Sequence, residues 1–175
     1  MIVVVMGVSG SGKTTVGRLL AARLGCGFSD ADDFHPAANI EKMRAGIPLT
    51  DADRRPWLDA IHAAMVGFEA AGEDRVIACS ALAASYRERL APRGEAVFVL
   101  LTGSAALLAT RLAGRVGHFF APSLLASQLA TLEVPDDAIV IDVAPPPDVI
   151  VDEIFRRLAL CRLHPSRSAA EDDDR

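Results

Sequence analysis

The stretch Gly7-Val8-Ser9-Gly10-Ser11-Gly12-Lys13-Thr14 constrains this chain more than any other. It matches G-x-x-x-x-G-K-[ST], and its surroundings match as well. Ile2 to Met6 is a continuous apolar run ahead of it, and Val16, Leu19, Leu20 and Leu24 recur at helical spacing behind it until Gly25. A buried strand must therefore turn sharply into a helix. Glycines let the backbone curl until successive N–H groups face one centre, and the positive end of the helix dipole adds to that anion site. Gly7 to Thr15 reads as a phosphate-binding loop. Lys13 is expected to reach the β- and γ-phosphates of a nucleotide, and the Thr14 hydroxyl to ligate Mg²⁺. Of the 18 Lys plus Arg residues only Lys13 and Lys42 are lysines, and a compact point charge suits phosphate.

The loop opens an alternating pattern. A short strand through Phe28 to Asp30, a helix between Pro36 and Gly46, and a helix capped by Thr50 and Asp53 and carrying Trp57, Ile61, Met65 and Phe68 follow in order. Arg75 to Cys79, Ala96 to Leu101 and Ala138 to Val143 are strand-like, each leading to a turn and a helical pattern. Such alternation implies an α/β fold, a parallel sheet covered by helices on both sides. A length of 175 residues with 51% hydrophobic content suits one domain with a substantial core. We expect it to span 1–165, with a disordered acidic tail at 166–175.

With a net charge of −5, nothing points to nucleic acid or an anionic membrane as the main partner. Cys26, Cys79 and Cys161 are odd in number and lack C-x-x-C spacing, which argues for a reducing compartment rather than a disulfide frame or zinc site. Gly7 interrupts the apolar start far short of a signal core. The expectation is a soluble, cytoplasmic protein.

The acidic cluster Asp30-Ala31-Asp32-Asp33 follows the second strand, where open α/β sheets bind ligands. Phosphoryl transfer to a hydroxyl needs an acidic group to orient or deprotonate the acceptor, and groups for the magnesium shell. In an extended segment Asp30 and Asp32 project the same way. Asp33, shortly before Pro36, suits a turn or cap. The third strand ends Cys79-Ser80 and the fourth Leu101-Thr102, and Asp142, ending the last, belongs to the base side. The metal-linked role therefore falls on the Asp30/Asp32 pair.

The run SDADDFHPAANIEKMRAGIPLTDADRRPWL, with ACSALAASYR and RVGHFFAPSLLASQLATLE, resembles the gluconokinases of the shikimate-kinase-like group of P-loop kinases. The resemblance runs from the first strand to the final helix. It implies a three-layer α/β/α fold with a parallel, five-stranded sheet and a small lid. The implied reaction is transfer from ATP, with Mg²⁺, to the 6-hydroxyl of D-gluconate. Acceptor binding then falls at about 30–60 and the lid at about 111–133. Direct in-line transfer would use Lys13, with Asp32 ahead of Asp30 as proton acceptor and Asp30 beside the metal.

Gluconate is a hydroxyl-rich carboxylate, so His35, Asn39, Lys42, Arg54 and Arg87 become candidate substrate ligands. Asn39 and Lys42 stand three apart on one helical face, and Asn39 is the chain's single asparagine. His35 serves equally as a turn residue, Trp57 fits the core better than a ligand platform, and Arg54 competes with Arg55 for the inward position. Ser80, Tyr86 and Arg87 follow the third strand, where Arg87 is favoured over Tyr86 for the substrate carboxylate. Cys79 reads as a small buried residue.

In the lid, Arg111 and Arg115 are expected to close on the triphosphate and His118 on the substrate, with Phe119 and Phe120 packing beneath. The loop Ala144 to Pro147 is expected at the base. Shikimate or a nucleoside monophosphate as acceptor, a nucleotide switch, and an ATP-binding scaffold remain alternatives. The H-P-x-x-N-I-E-K-M block argues against shikimate, and N-K-x-D for guanine is missing. Relatives of this kind are often homodimers, though no interface is legible in the sequence.

Overall fold

Strand β1 (Ile2–Met6) has every residue buried, because helices cover it on both faces. Val3 and Val5 point into one apolar cluster, and Ile2, Val4 and Met6 into the other. The computed structural model describes residues 1–91, 96–114 and 124–163. Among these, β1, β2 (Gly27–Asp30), β3 (Arg75–Ala78), β4 (Ala96–Thr102) and β5 (Ile139–Asp142) form a five-stranded, wholly parallel sheet in the order β2-β3-β1-β4-β5. Helices α1 (Lys13–Leu24), α5 (Ala105–Ala113), α6 (Leu124–Thr131) and α7 (Pro147–Leu163) contribute to one face. Helices α3 (Asp51–Ala70) and α4 (Ala84–Leu90) cover the other, and α2 (Ala37–Arg44) stands beside the N-terminus of α3. The three-layer α/β/α architecture is the one expected. No helix among the described residues is long and apolar enough to cross a membrane.

The topology places the cleft. The chain leaves β1 for β2 in one direction and leaves β3 for β4 in the other, so a crevice opens beyond the carboxyl ends of β1 and β3. The main chains there are tied together, Gly7 N–H donating to Ser80 O at 3.3 Å. Gly7 (φ 138°) and Gly10 (φ 83°) are required: a Cβ would stand 2.5 Å from Leu101 O at Gly7 and 2.8 Å from Leu108 O at Gly10.

Local signals mostly hold. Gly25 (φ 68°) closes α1, and Thr50 with Asp53 forms a full capping box on α3. Two details differ. Leu19 is 43% exposed, because the inward stripe of α1 is Val16, Gly17, Leu20 and Ala21, with Gly17 set closely against the Phe28 ring. The extended segment ends at Asp30, and Ala31–Phe34 is a 3₁₀ turn, so Asp30 and Asp32 do not project side by side from a strand. The capping role foreseen for Asp33 belongs to Asp30, whose Oδ1 accepts from Asp32 N at 3.2 Å, while Asp33 is exposed.

Candidate active site

Helix α1 begins at Gly12 in a left-handed conformation with no side-chain cap. Its first N–H groups are left for an anion, as the sequence pattern requires. Two cavities flank this loop. Gly10, Ser11, Gly12, Thr15 and Val16 line one, together with Arg111, Pro145, Pro147 and Ile150. Arg111 Nη2 donates to Val143 O at 2.8 Å, tying α5 to the end of β5 at the edge of this cavity. Ser9 and Lys13 line the other, with Asp32, His35, Arg54, Trp57, Ser80, Tyr86 and residues of α6. The loop thus stands between two cavities, and Lys13, whose Nζ donates to Val8 O at 3.1 Å, faces the second.

The aspartates occupy distinct positions. Asp30 Oδ2 accepts from Thr14 Oγ1 at 2.8 Å, so a hydroxyl and a carboxylate converge beside the loop. That all-oxygen pair fits Mg²⁺, which takes few protein ligands and keeps its waters. Asp32 instead lines the cavity that Ser9 and Lys13 share. It is fixed by the Asp30 cap and by Trp57, whose Nε1–H donates to Ala31 O at 2.7 Å. Trp57 is core, 2% exposed, and also lines the cavity. His35 stacks on it with ring centroids 4.4 Å apart.

Burial, and secondarily the Arg54 charge, lowers the His35 pKa from 6.5 to about 4, so the ring is neutral near pH 7. Asn39 Nδ2 lies 3.4 Å from His35 Nδ1. With that nitrogen accepting, the imidazole proton sits on Nε2 and His35 can donate into the cavity.

Not every candidate reaches the cavity. Asn39 is buried and donates to Asp53 O at 2.8 Å, and Lys42 pairs with Asp53 Oδ1 at 2.7 Å. Both do share a face, but that face meets the first turn of α3. The Lys42 bond, followed by those from Thr50, brings the Asp53 pKa down to about 2. Arg54 is the inward arginine, donating to Tyr86 Oη at 3.0 Å and to Asp51 Oδ1 at 3.1 Å.

Arg87 turns the other way. Its Nη1 donates to Ala81 O and Leu82 O, both at 3.0 Å, bracing a loop where Ala81 takes φ 43°. Cys79 is fully enclosed, and burial pushes its thiol up to about 12, which suits packing and not attack. Arg115, His118, Phe119, Phe120 and the acidic tail lie outside the described residues.

Sequence reading placed the stretch of α6 in the lid and named none of its side chains. Ser127, Gln128 and Thr131 line the cavity of Lys13 and Asp32, and Gln128 Oε1 accepts from Ser9 N at 2.6 Å. A signal was available, since Gln128 is the chain's single glutamine, as Asn39 is its single asparagine.

A family model described as an AAA domain matches residues 3–118. A gluconokinase of Gluconobacter oxydans (strain 621H) is 54% identical over 159 residues, covering 87% of this chain and 88% of that protein. The chain belongs to the gluconokinase family. A solved gluconokinase structure from Sinorhizobium meliloti 1021 superposes with a TM-score of 0.82 at 46% identity, over 94% of this chain and 97% of that one. A shikimate kinase from Aquifex aeolicus vf5 shares the fold at a TM-score of 0.60 and 19% identity, covering 93% of this chain and 99% of that one. Gluconokinase relatives thus match in sequence and fold, whereas the shikimate enzyme matches in fold alone.

Proposed function

We propose that this protein transfers the γ-phosphoryl group of ATP to the 6-hydroxyl of D-gluconate, giving 6-phospho-D-gluconate and ADP. The observation that carries the reading is that Lys13 and Asp32 share one cavity with Arg54, His35 and Tyr86. A kinase for a polyhydroxy carboxylate needs that set: a cation for the transferred phosphoryl, a carboxylate for the attacking hydroxyl, an arginine for the substrate carboxylate, and neutral groups for the remaining hydroxyls.

Uncapped N–H groups of α1 and Lys13 hold the phosphates of ATP, and the base lies toward Arg111 and Pro145 to Pro147. Thr14 and Asp30 would hold Mg²⁺, which would supply neutralisation of phosphate charge when bound. Asp32 orients the 6-hydroxyl and accepts its proton as the oxygen attacks phosphorus in line. Arg54, held by Tyr86 and Asp51, receives the gluconate carboxylate, and neutral His35 donates to a hydroxyl. Arg115 and His118 complete the reading from the lid. Free Cys26 and Cys79 fit a cytoplasmic setting.

The experiment is a panel of acceptors with ATP and Mg²⁺, measured by coupled ADP release. D-gluconate is expected to be turned over, with shikimate and AMP near background. ADP release that ignores every acceptor, or prefers shikimate, would overturn the reading.

A further inference from the structure

Helix α6 brings one side chain to the boundary between the two cavities. Ser9 and Lys13 line the acceptor side, while Gly10, Ser11 and Gly12 line the donor side. At that boundary the Ser9 N–H donates to Gln128 Oε1 at 2.6 Å, across 119 residues of sequence. The bond fixes the orientation of the carboxamide, since an N–H must face the oxygen. What Gln128 offers elsewhere is therefore its NH₂, a group that only donates. Among the described residues that nitrogen has no hydrogen-bond partner, and Gln128 lines the cavity with Lys13 and Asp32.

Accepting the reading of the acceptor as a polyol acid, we infer that Gln128 is a specificity-determining residue that donates from its NH₂ to one hydroxyl oxygen of the acceptor. Its oxygen stays anchored on the phosphate loop. A neutral donor suits this place. It leaves the attacking hydroxyl to Asp32 and the carboxylate to Arg54, and adds no positive charge to compete with Lys13 for phosphate. Because the carboxamide is anchored to the loop that holds the donor, the acceptor is placed in the frame of the phosphate it must attack. One bond thereby contributes register as well as affinity.

A second contact keeps α6 in place. Just past its end, Glu133 N–H donates to Leu82 O at 2.9 Å, and Glu133 Oε2 accepts from Ala84 N at 2.8 Å. The helix is held at the loop after β3 independently of Gln128, so replacing Gln128 need not release it.

The test is a cycle between enzyme and substrate. Wild type, Gln128→Met and Gln128→Glu are assayed at saturating ATP on D-gluconate and on gluconates that keep the 6-hydroxyl but lack one of the others at a time. Met has similar length without polar groups. Glu keeps an oxygen for Ser9 N–H but has no donor, and stands in if the Met variant fails to fold. In wild type, one deoxy analogue should lose about tenfold in kcat/KM, as a donor left unpaired against the bound acceptor requires. In both variants that same analogue should lose less than about twofold relative to gluconate, while KM for gluconate rises about tenfold and KM for ATP stays within about threefold.

If every analogue costs the variants what it costs wild type, Gln128 touches no acceptor hydroxyl and the inference falls. The same holds if KM for ATP rises while that for gluconate does not. A wild type inert toward gluconate would overturn the functional reading itself, and this inference with it.

Discussion

The phosphate loop and the acceptor cavity meet at Lys13, yet they are made of different material. The loop works mainly through main chain, with glycines where a Cβ has no room and N–H groups at an uncapped helix start. The acceptor cavity works through side chains drawn from the 3₁₀ turn, α3, the loop after β3, α4 and α6. A main-chain site must be written in consecutive residues, so it shows as a motif. A side-chain site is collected by the fold, and its members need only end up facing one another.

The difference predicts how each half fails. Asp32→Asn should show the largest separation. It leaves the loop untouched but removes the proton acceptor proposed above, so kcat is expected to fall about 10²- to 10⁴-fold while ATP binding, measured by calorimetry, persists. Turnover like that of wild type would break the assignment of Asp32.

Next come the two arginines that the sequence could not rank. Arg54→Ala should raise KM for gluconate about 10- to 100-fold with little change in KM for ATP, the loss of a charged hydrogen bond. Arg87→Ala should act on the fold instead, stranding two carbonyls and lowering stability by about 1–3 kcal/mol in urea unfolding, with a smaller effect on KM. Reversal of the two would mean that Arg87 swings into the cavity when substrate arrives.

The smallest effect is a pH dependence. His35 titrates near 4 in the folded chain against 6.5 unfolded, so between those values the unfolded state binds more protons. The contribution of His35 to stability is fully present above 6.5 and declines as pH falls toward about 4. In His35→Gln, stability measured across that interval should fall less steeply than in wild type. Equal slopes would show that burial of the ring is not what sets its titration.

The parts legible in the sequence follow the same division. The loop, β1, the capping box of Thr50 and Asp53, and the strand–helix alternation are local, and all appear where the periodicities place them. Asn39 and Lys42 were grouped correctly on one helical face, but helical spacing does not say what that face meets, and it meets Asp53. Arg54 and Arg87 look alike in sequence. Their directions depend on Tyr86 and Asp51 for one and the carbonyls of Ala81 and Leu82 for the other. Gln128 lies far from the loop it touches, so only its scarcity pointed to it.

Asp53 has a consequence for anyone wishing to move this acceptor preference to another scaffold. Its carboxylate takes Thr50 N and Oγ1 and Lys42 Nζ, and its carbonyl takes Asn39. Grafting His35 and Arg54 alone would transfer the groups that face the cavity and leave behind the frame that aims them. The transferable unit is a cassette from His35 through Trp57, and within it Asp53 is the residue to carry across first.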